Sequence, residues 1–168
     1  MNLDKVDISQ LPADVRKTFK RYQVMHAEKK IQNKAKEDFL SFVKCVWPEF
    51  VEGAHHRHVA EKFNKLATGE IKRLIINMPP RHTKSEFASF LLPAWMVGRN
   101  PKLKIIQAQE DSKAAGRWET AQGGEYFAAG VGGAITGRGA DLLIIDDPHS
   151  EQDALSETKL ESAYEWYT

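Results

Sequence analysis

Twenty residues, Ile71-Lys-Arg-Leu-Ile-Ile-Asn-Met-Pro-Pro-Arg-His-Thr-Lys-Ser-Glu-Phe-Ala-Ser-Phe90, constrain this chain more than any others. The apolar run Leu74–Ile76 reads as a short buried strand. Pro79 and Pro80 end it, because neither has an N–H to give to a sheet ladder. Lys84-Ser85 then opens a helix with apolar positions at Phe87, Phe90, Leu91, Leu92 and Trp95. Strand, tight loop, Lys-Ser and helix is the order of a phosphate-binding loop. In such a loop, backbone amides and a helix N-terminus meet an anion, the lysine neutralises the β- and γ-phosphates, and the serine binds Mg²⁺. The simple pattern G-x-x-x-x-G-K-[ST] is not met, since Met78 and Thr83 stand where it has glycine and only Lys84-Ser85 fits. On this stretch alone, an ordinary strand–helix turn competes with the phosphate loop.

A second element favours the loop. Asp141-Leu-Leu-Ile-Ile-Asp-Asp-Pro-His149 is four apolar residues ending in two carboxylates and a proline. The run suits a central parallel strand. Carboxylates at its C-terminal end fall where open α/β sheets bind ligands. Asp146 suits holding Mg²⁺ through water, and Asp147 suits orienting a hydrolytic water. The plainer alternative is a strand end followed by an Asp-Pro turn.

Two stretches, Arg73 to Gly98 (RLIINMPPRHTKSEFASFLLPAWMVG) and Gly123 to Glu151 (GGEYFAAGVGGAITGRGADLLIIDDPHSE), resemble the ATPase domain of tailed-bacteriophage terminase large subunits. That family is the motor that packages viral DNA into the procapsid by ATP hydrolysis. Its phosphate loops often contain arginine and little glycine. The resemblance runs from about Phe39 to the C-terminus, with one gap. It implies an α/β, P-loop NTPase-like fold of the helicase/terminase type, with a mostly parallel sheet flanked by helices and an N-terminal helical lead. Residues 1–50 would form the helical segment and 51–168 a partial ATPase domain, one globular unit overall, without the family's nuclease domain.

The resemblance also implies roles for residues. ATP·Mg²⁺ would sit over Pro79, Pro80, Arg81, His82, Thr83, Lys84, Ser85 and Glu86, the Walker A element. Lys84 would stabilise charge on the β/γ-phosphates. Ser85 and, through water, Asp146 would hold the metal. Asp147, where the family usually has glutamate, would polarise the attacking water at the end of the Walker B strand. Arg81 stands where the family carries a loop arginine proposed to act as a finger on the transition state. His56 falls near the family's adenine-contacting position, with a different residue type; a polar helix start is the plainer reading. Implied partners are double-stranded DNA, the portal protein, the small terminase subunit and other copies of the chain. The implied setting is the host cytoplasm, with a phage or prophage source.

Hydrophobic spacing organises the rest of the chain. Residues 11–31 suit a helix with Leu11, Val15, Phe19 and Tyr22 at helical spacing and a polar face rich in Lys and Arg. Residues 34–47 suit a second, with Phe39, Leu40, Phe42, Val43, Val46 and Trp47 apolar and Cys45 in the core. Residues 54–67 suit a third, with Val59, Phe63 and Leu66 inward and Gly69 at its end. The strand at 72–77 leads through the loop to a helix ending at Val97, with Pro93 kinking it. Residues 102–108 suit the next strand, parallel to the first by a right-handed crossover.

After Ala108 the chain departs from the family. Only Gln109–Lys113 precedes Ala114–Thr120, whereas a parallel return needs about a dozen residues or more. A natural internal deletion, a decayed prophage gene or an engineered sequence would account for the gap, and the sheet would lack one covering helix. Ala114–Thr120 and Gly124–Gly130 suit a hairpin turning at Gly123-Gly124. Gly132–Gly139 suits a flexible loop; its Arg138 resembles the family's Arg-Gly element before the second carboxylate strand, which implies a sensor of nucleotide or DNA, beside the plainer reading of a solvated arginine. Asp153–Tyr167 suits an amphipathic helix with Leu155, Leu160, Tyr164 and Trp166/Tyr167 apolar. The family's coupling strand would come after Thr168, so the chain alone is expected to turn over slowly or not at all.

Composition narrows the alternatives. Net charge is only +1, so no global field attracts a polyanion. Residues 1–40 hold nine Lys/Arg against six Asp/Glu, which suits either DNA contact or a solvated helix. One cysteine excludes an internal disulfide and a thiolate zinc cluster. No apolar run approaches the roughly 20 residues needed to span a bilayer, and no signal peptide is visible, so a cytosolic protein without a membrane partner is expected. Two other classes stay open beside the ATPase: a nucleotide-binding but inert remnant, and a non-enzymatic DNA- or partner-binding module using the basic helices.

Overall fold

The computed structural model describes residues 9–109, 116–130, 138–149 and 153–167. The protein is α/β, with helices and a four-stranded mixed sheet. It divides into two compact units, Met1–Lys72 and Arg73–Thr168.

The first unit is helical. Its helices are α1 (Ala13–Glu37), α2 (Phe39–Val46) and α3 (Ala54–Ala67). Helix α1 runs past the expected end at residue 31, because Gln32 to Lys36 contain no helix breaker. Asp38 makes the break. Its N–H bonds Lys34 O, closing α1, and its side chain accepts from Ser41 N at 2.7 Å, opening α2. Asn64 of α3 fastens the joint: it donates to Asp38 Oδ1 and accepts from Phe39 N, both at 2.9 Å. Burial works against ionised Asp38, but the bonds from Ser41 and Asn64 outweigh it and hold the carboxyl below its ordinary range.

Phe39, Val43, Val59, Ala60 and Phe63 form the core of this unit, with Phe39 and Phe63 edge to face at 5.0 Å. Cys45, expected inside, is exposed. It lies two residues, about 200° of helix, from buried Val43. In α1 only Ala35 is buried; Val15 and Tyr22 are exposed.

The second unit holds the sheet, β1 (Lys104–Gln109), β2 (Arg117–Glu119), β3 (Glu125–Gly130) and β4 (Leu142–Asp146), in the order β2-β3-β1-β4. Strand β1 is central and parallel to both β3 and β4, and its residues Ile105 to Ala108 are all buried. Strands β2 and β3 are antiparallel, as the hairpin pattern predicts. Their turn uses Gly123 at φ 88°, and Gly124 passes so close to the Pro101 and Leu103 carbonyls that a Cβ has no room. Asp141 registers β4 on β1, accepting from Lys104 N at 2.8 Å while its own N–H bonds Lys104 O. Most of the residues expected in the Gly132–Gly139 loop, and the link after Gln109, lie outside the described residues.

Residues 72–77 are not a strand, so β1 has no parallel partner preceding it. Residues 74–77 alternate between half-buried and exposed, with Ile75 87 % exposed. A short apolar run becomes a strand only where a neighbouring ladder accepts its hydrogen bonds. Strand β4 is not central, since it pairs with β1 alone among the described strands and Leu143 is exposed. The helix after Lys84 is not uniform. Glu86–Leu91 is a π-helical stretch, in which Leu92 N–H reaches back to Phe87 O, and α4 (Leu92–Arg99) follows. Pro93 has no N–H to continue the ordinary ladder, and the wider turns fall just before it.

Phe87, Leu92, Trp95 and Met96 from this stretch join the sheet residues Ile105, Ile106, Ala108, Ala129, Leu142 and Ile144 as the buried apolar set. Each large side chain so buried contributes roughly 1.5–3 kcal/mol. A 3₁₀ turn, Asp153–Leu155, and α5 (Glu157–Tyr167) end the unit. Leu155 and Tyr164 are exposed and Leu160 is largely so.

Candidate functional site

Strand β4 delivers Asp146 and Asp147, and the loop ahead of the π-helical stretch delivers Lys84 and Ser85 to the same place. The Lys84 ammonium lies 2.9 Å from Asp146 Oδ1 and also pairs with Asp147 Oδ1. Asp146 is 4 % exposed and is held from a second side by Ser89, whose Oγ donates to Oδ2 at 2.7 Å. Burial raises the cost of ionising Asp146, but bonds from Ser89, Lys84 and Ser85 outweigh it and keep the carboxyl below its ordinary range. Burial likewise opposes the Lys84 charge, and the bonds to Asp147 and Asp146 overcome it, raising the lysine above its ordinary value.

The backbone here is held in unusual conformations. Among the described non-glycine residues, positive φ occurs at Arg81 (62°), Thr83 (61°) and Asp147 (44°). All three are in this site. For β-branched Thr83 the left-handed region is a genuine outlier. Thr83 is also the residue standing where the phosphate-loop pattern has glycine, the residue that adopts this φ without penalty. The loop closes on itself through His82, whose Nδ1–H donates to Pro80 O at 2.9 Å, and through Thr83, whose Oγ1 donates to His82 O at 2.6 Å. Pro79, Pro80, Arg81, His82 and Glu86 are exposed, while Thr83, Lys84 and Ser85 are half-buried.

The other candidates lie elsewhere. His56 belongs to the first unit, where its Nδ1 accepts from Gly53 N at 2.9 Å and its ring meets Phe50 edge-on at 4.8 Å. It caps the start of α3 there. Arg138 pairs with Glu125 at 2.8 Å and lies over the Phe127 ring. Ser89 is not singled out by the sequence. Its only signal is a polar residue inside the apolar run Phe87-Ala-Ser-Phe-Leu-Leu92, one turn after Ser85.

The Ser85 hydroxyl and the carboxylates of Asp146 and Asp147 are all-oxygen donors, which suits Mg²⁺ bound by one or two carboxylates together with phosphate oxygens and water. Among the described residues no group of three or more His, Cys, Asp or Glu is arranged to hold a metal by itself. No helix among them is long and apolar enough to cross a membrane. Comparison with protein-family models, curated proteins and solved structures finds no match for this chain.

Proposed function

We propose that the second unit binds ATP with Mg²⁺ and is an ATPase unit of the terminase large-subunit type. The observation that carries this reading is the convergence of Lys84 with Asp146 and Asp147 at the C-terminal end of a parallel strand. The left-handed Thr83 immediately before the lysine supports it, because it has the backbone shape that glycine supplies in the simple loop pattern.

Lys84 turns from the carboxylates to the β/γ-phosphates when nucleotide enters. Ser85 and Asp146 would hold the metal, which when bound would supply charge neutralisation on the phosphate oxygens. Asp147 orients and deprotonates the attacking water, and exposed Arg81 meets charge on the outer side of the γ-phosphate. His56 as an adenine contact, and double-stranded DNA, the portal protein, the small terminase subunit and further copies of the chain as partners, rest on the resemblance.

Nucleotide binding without turnover is the second reading. The unpaired segment at 72–77 favours it, because a loop anchored by no strand on that side is poorly held for in-line attack.

Calorimetry with a slowly hydrolysed ATP analogue and Mg²⁺ tests the site. Lys84→Ala is expected to weaken binding at least tenfold, about 1.4 kcal/mol. Unchanged affinity would rule out the phosphate-loop assignment. Phosphate release by the unaltered chain then separates the two readings.

A further inference from the structure

We infer that Ser89 is a positioning residue of the nucleotide site, holding one oxygen of Asp146 so that the other stays available to a cation. The inference rests on the nucleotide reading above. Asp146 Oδ2 accepts from Ser89 Oγ at 2.7 Å, while Oδ1 faces Lys84 at 2.9 Å. Ser89 thus holds one oxygen and the Lys84 cation the other, with Ser85 as a further donor to the carboxylate.

Both partners are deeply buried, Ser89 at 3 % and Asp146 at 4 % exposure, so the hydroxyl bond does not compete with bulk water. Ser89 sits within the π-helical stretch Glu86–Leu91, which packs against β4. Such stretches recur at functional sites because the extra residue per turn re-aims side chains. A carboxylate without this bond keeps Lys84 and Ser85 as partners but is less restrained about its last torsion. The metal would then meet a carboxylate turned away from the orientation it needs. Partners of this kind behind a metal ligand typically change metal affinity by about 10–100-fold when removed.

A bond that merely satisfied a buried carboxylate would affect stability and every form of binding alike. A positioning role predicts a selective effect on the metal. The test is binding of a slowly hydrolysed ATP analogue, titrated with Mg²⁺ and also measured in EDTA, with thermal melting alongside. Ser89→Ala should raise the Mg²⁺ concentration for half-maximal binding by about tenfold or more, and leave metal-free nucleotide affinity close to that of the unaltered chain. Ser89→Thr, which keeps the hydroxyl, should restore the Mg²⁺ dependence. Ser89→Cys, of similar volume but a weak donor, should shift it in the direction of the alanine variant and carries the test if alanine fails to fold.

An unchanged Mg²⁺ midpoint overturns the role of Ser89. Equal loss of metal-free and metal-dependent binding overturns it too, by making the effect general. Absence of any nucleotide binding by the unaltered chain would overturn the nucleotide reading itself, and the inference with it, before any variant is measured.

Discussion

The ammonium of Lys84 stands 2.9 Å from Oδ1 of Asp146 and bridges to Asp147, occupying the spot between the two carboxylates that end β4. A cation already occupies the place between the two carboxylates, so an incoming metal must displace it. An incoming phosphate gives the lysine somewhere to go. Metal and phosphate are thereby expected to enter together, each weakly without the other.

The two carboxylates should separate by role. Asp146→Asn keeps the hydrogen-bonding shape but loses the charge, and should weaken Mg²⁺-dependent nucleotide binding about tenfold or more, about 1.4 kcal/mol. Asp147→Asn is exposed and should leave binding within a few-fold while lowering any phosphate release by about 10²–10⁴-fold, the usual contribution of a general base. Calorimetry and a phosphate-release assay on the same preparations decide. Equal loss of binding in both variants contradicts the division.

Thr83→Gly should stabilise the protein. A left-handed conformation costs an L-residue roughly 1–2 kcal/mol, and glycine's extra freedom in the unfolded chain returns about 0.5–1 kcal/mol of that. The net expectation is a gain of roughly 0–1.5 kcal/mol by denaturant unfolding. A clear loss would mean that the Thr83 hydroxyl bond to His82 matters more than the strain.

The hairpin turn offers a ranked pair. Gly124→Ala places a Cβ 2.3 Å from Pro101 O and 2.8 Å from Leu103 O, so backbone must move, at a cost of about 3 kcal/mol or more. Gly123→Ala meets no atom within 4 Å and suffers only its φ of 88°, about 1–2 kcal/mol. Thermal melting of both variants should place Gly124→Ala lower. The reverse order would contradict the close approach of the turn to the Pro101–Leu103 backbone.

Asp38 gives the first unit an acid sensitivity. Its carboxyl is held below the ordinary 3.8, so the ionised form is favoured by folding. That stabilisation is fully present above the unfolded value and is lost as pH falls through the lowered folded value. Asp38→Ala should cost about 1 kcal/mol at neutral pH and flatten the acid limb below pH 3.8. The check is denaturant midpoint against pH for both chains, and parallel curves would show that Asp38 does not contribute.

Local pattern made much of this legible. Helix α3 follows from its spacing and from Gly69 at its end, the β2–β3 hairpin from Gly123-Gly124, and β1 and β4 from short apolar runs. Lys84, Ser85, Asp146 and Asp147 were readable as one site because their neighbours in sequence place them at element ends, where side chains converge. These features depend on residues within a few positions of each other, through turn conformation, capping and periodicity.

What pattern could not supply are the properties that need a partner from far along the chain. Leu74–Ile76 and Leu142–Ile145 look alike as apolar runs, yet only the second finds a ladder, on β1. Cys45 lies among apolar neighbours but turns outward, because Phe39 and Val43 define which side of α2 meets Phe63. Ser89 gains its place only when the π-helical stretch meets β4, across 57 residues of sequence. Hydrogen-bond ladders and buried polar pairs are satisfied between segments. Which segments meet is decided by the folded chain, where each burial excludes others, and not by the residues that flank them.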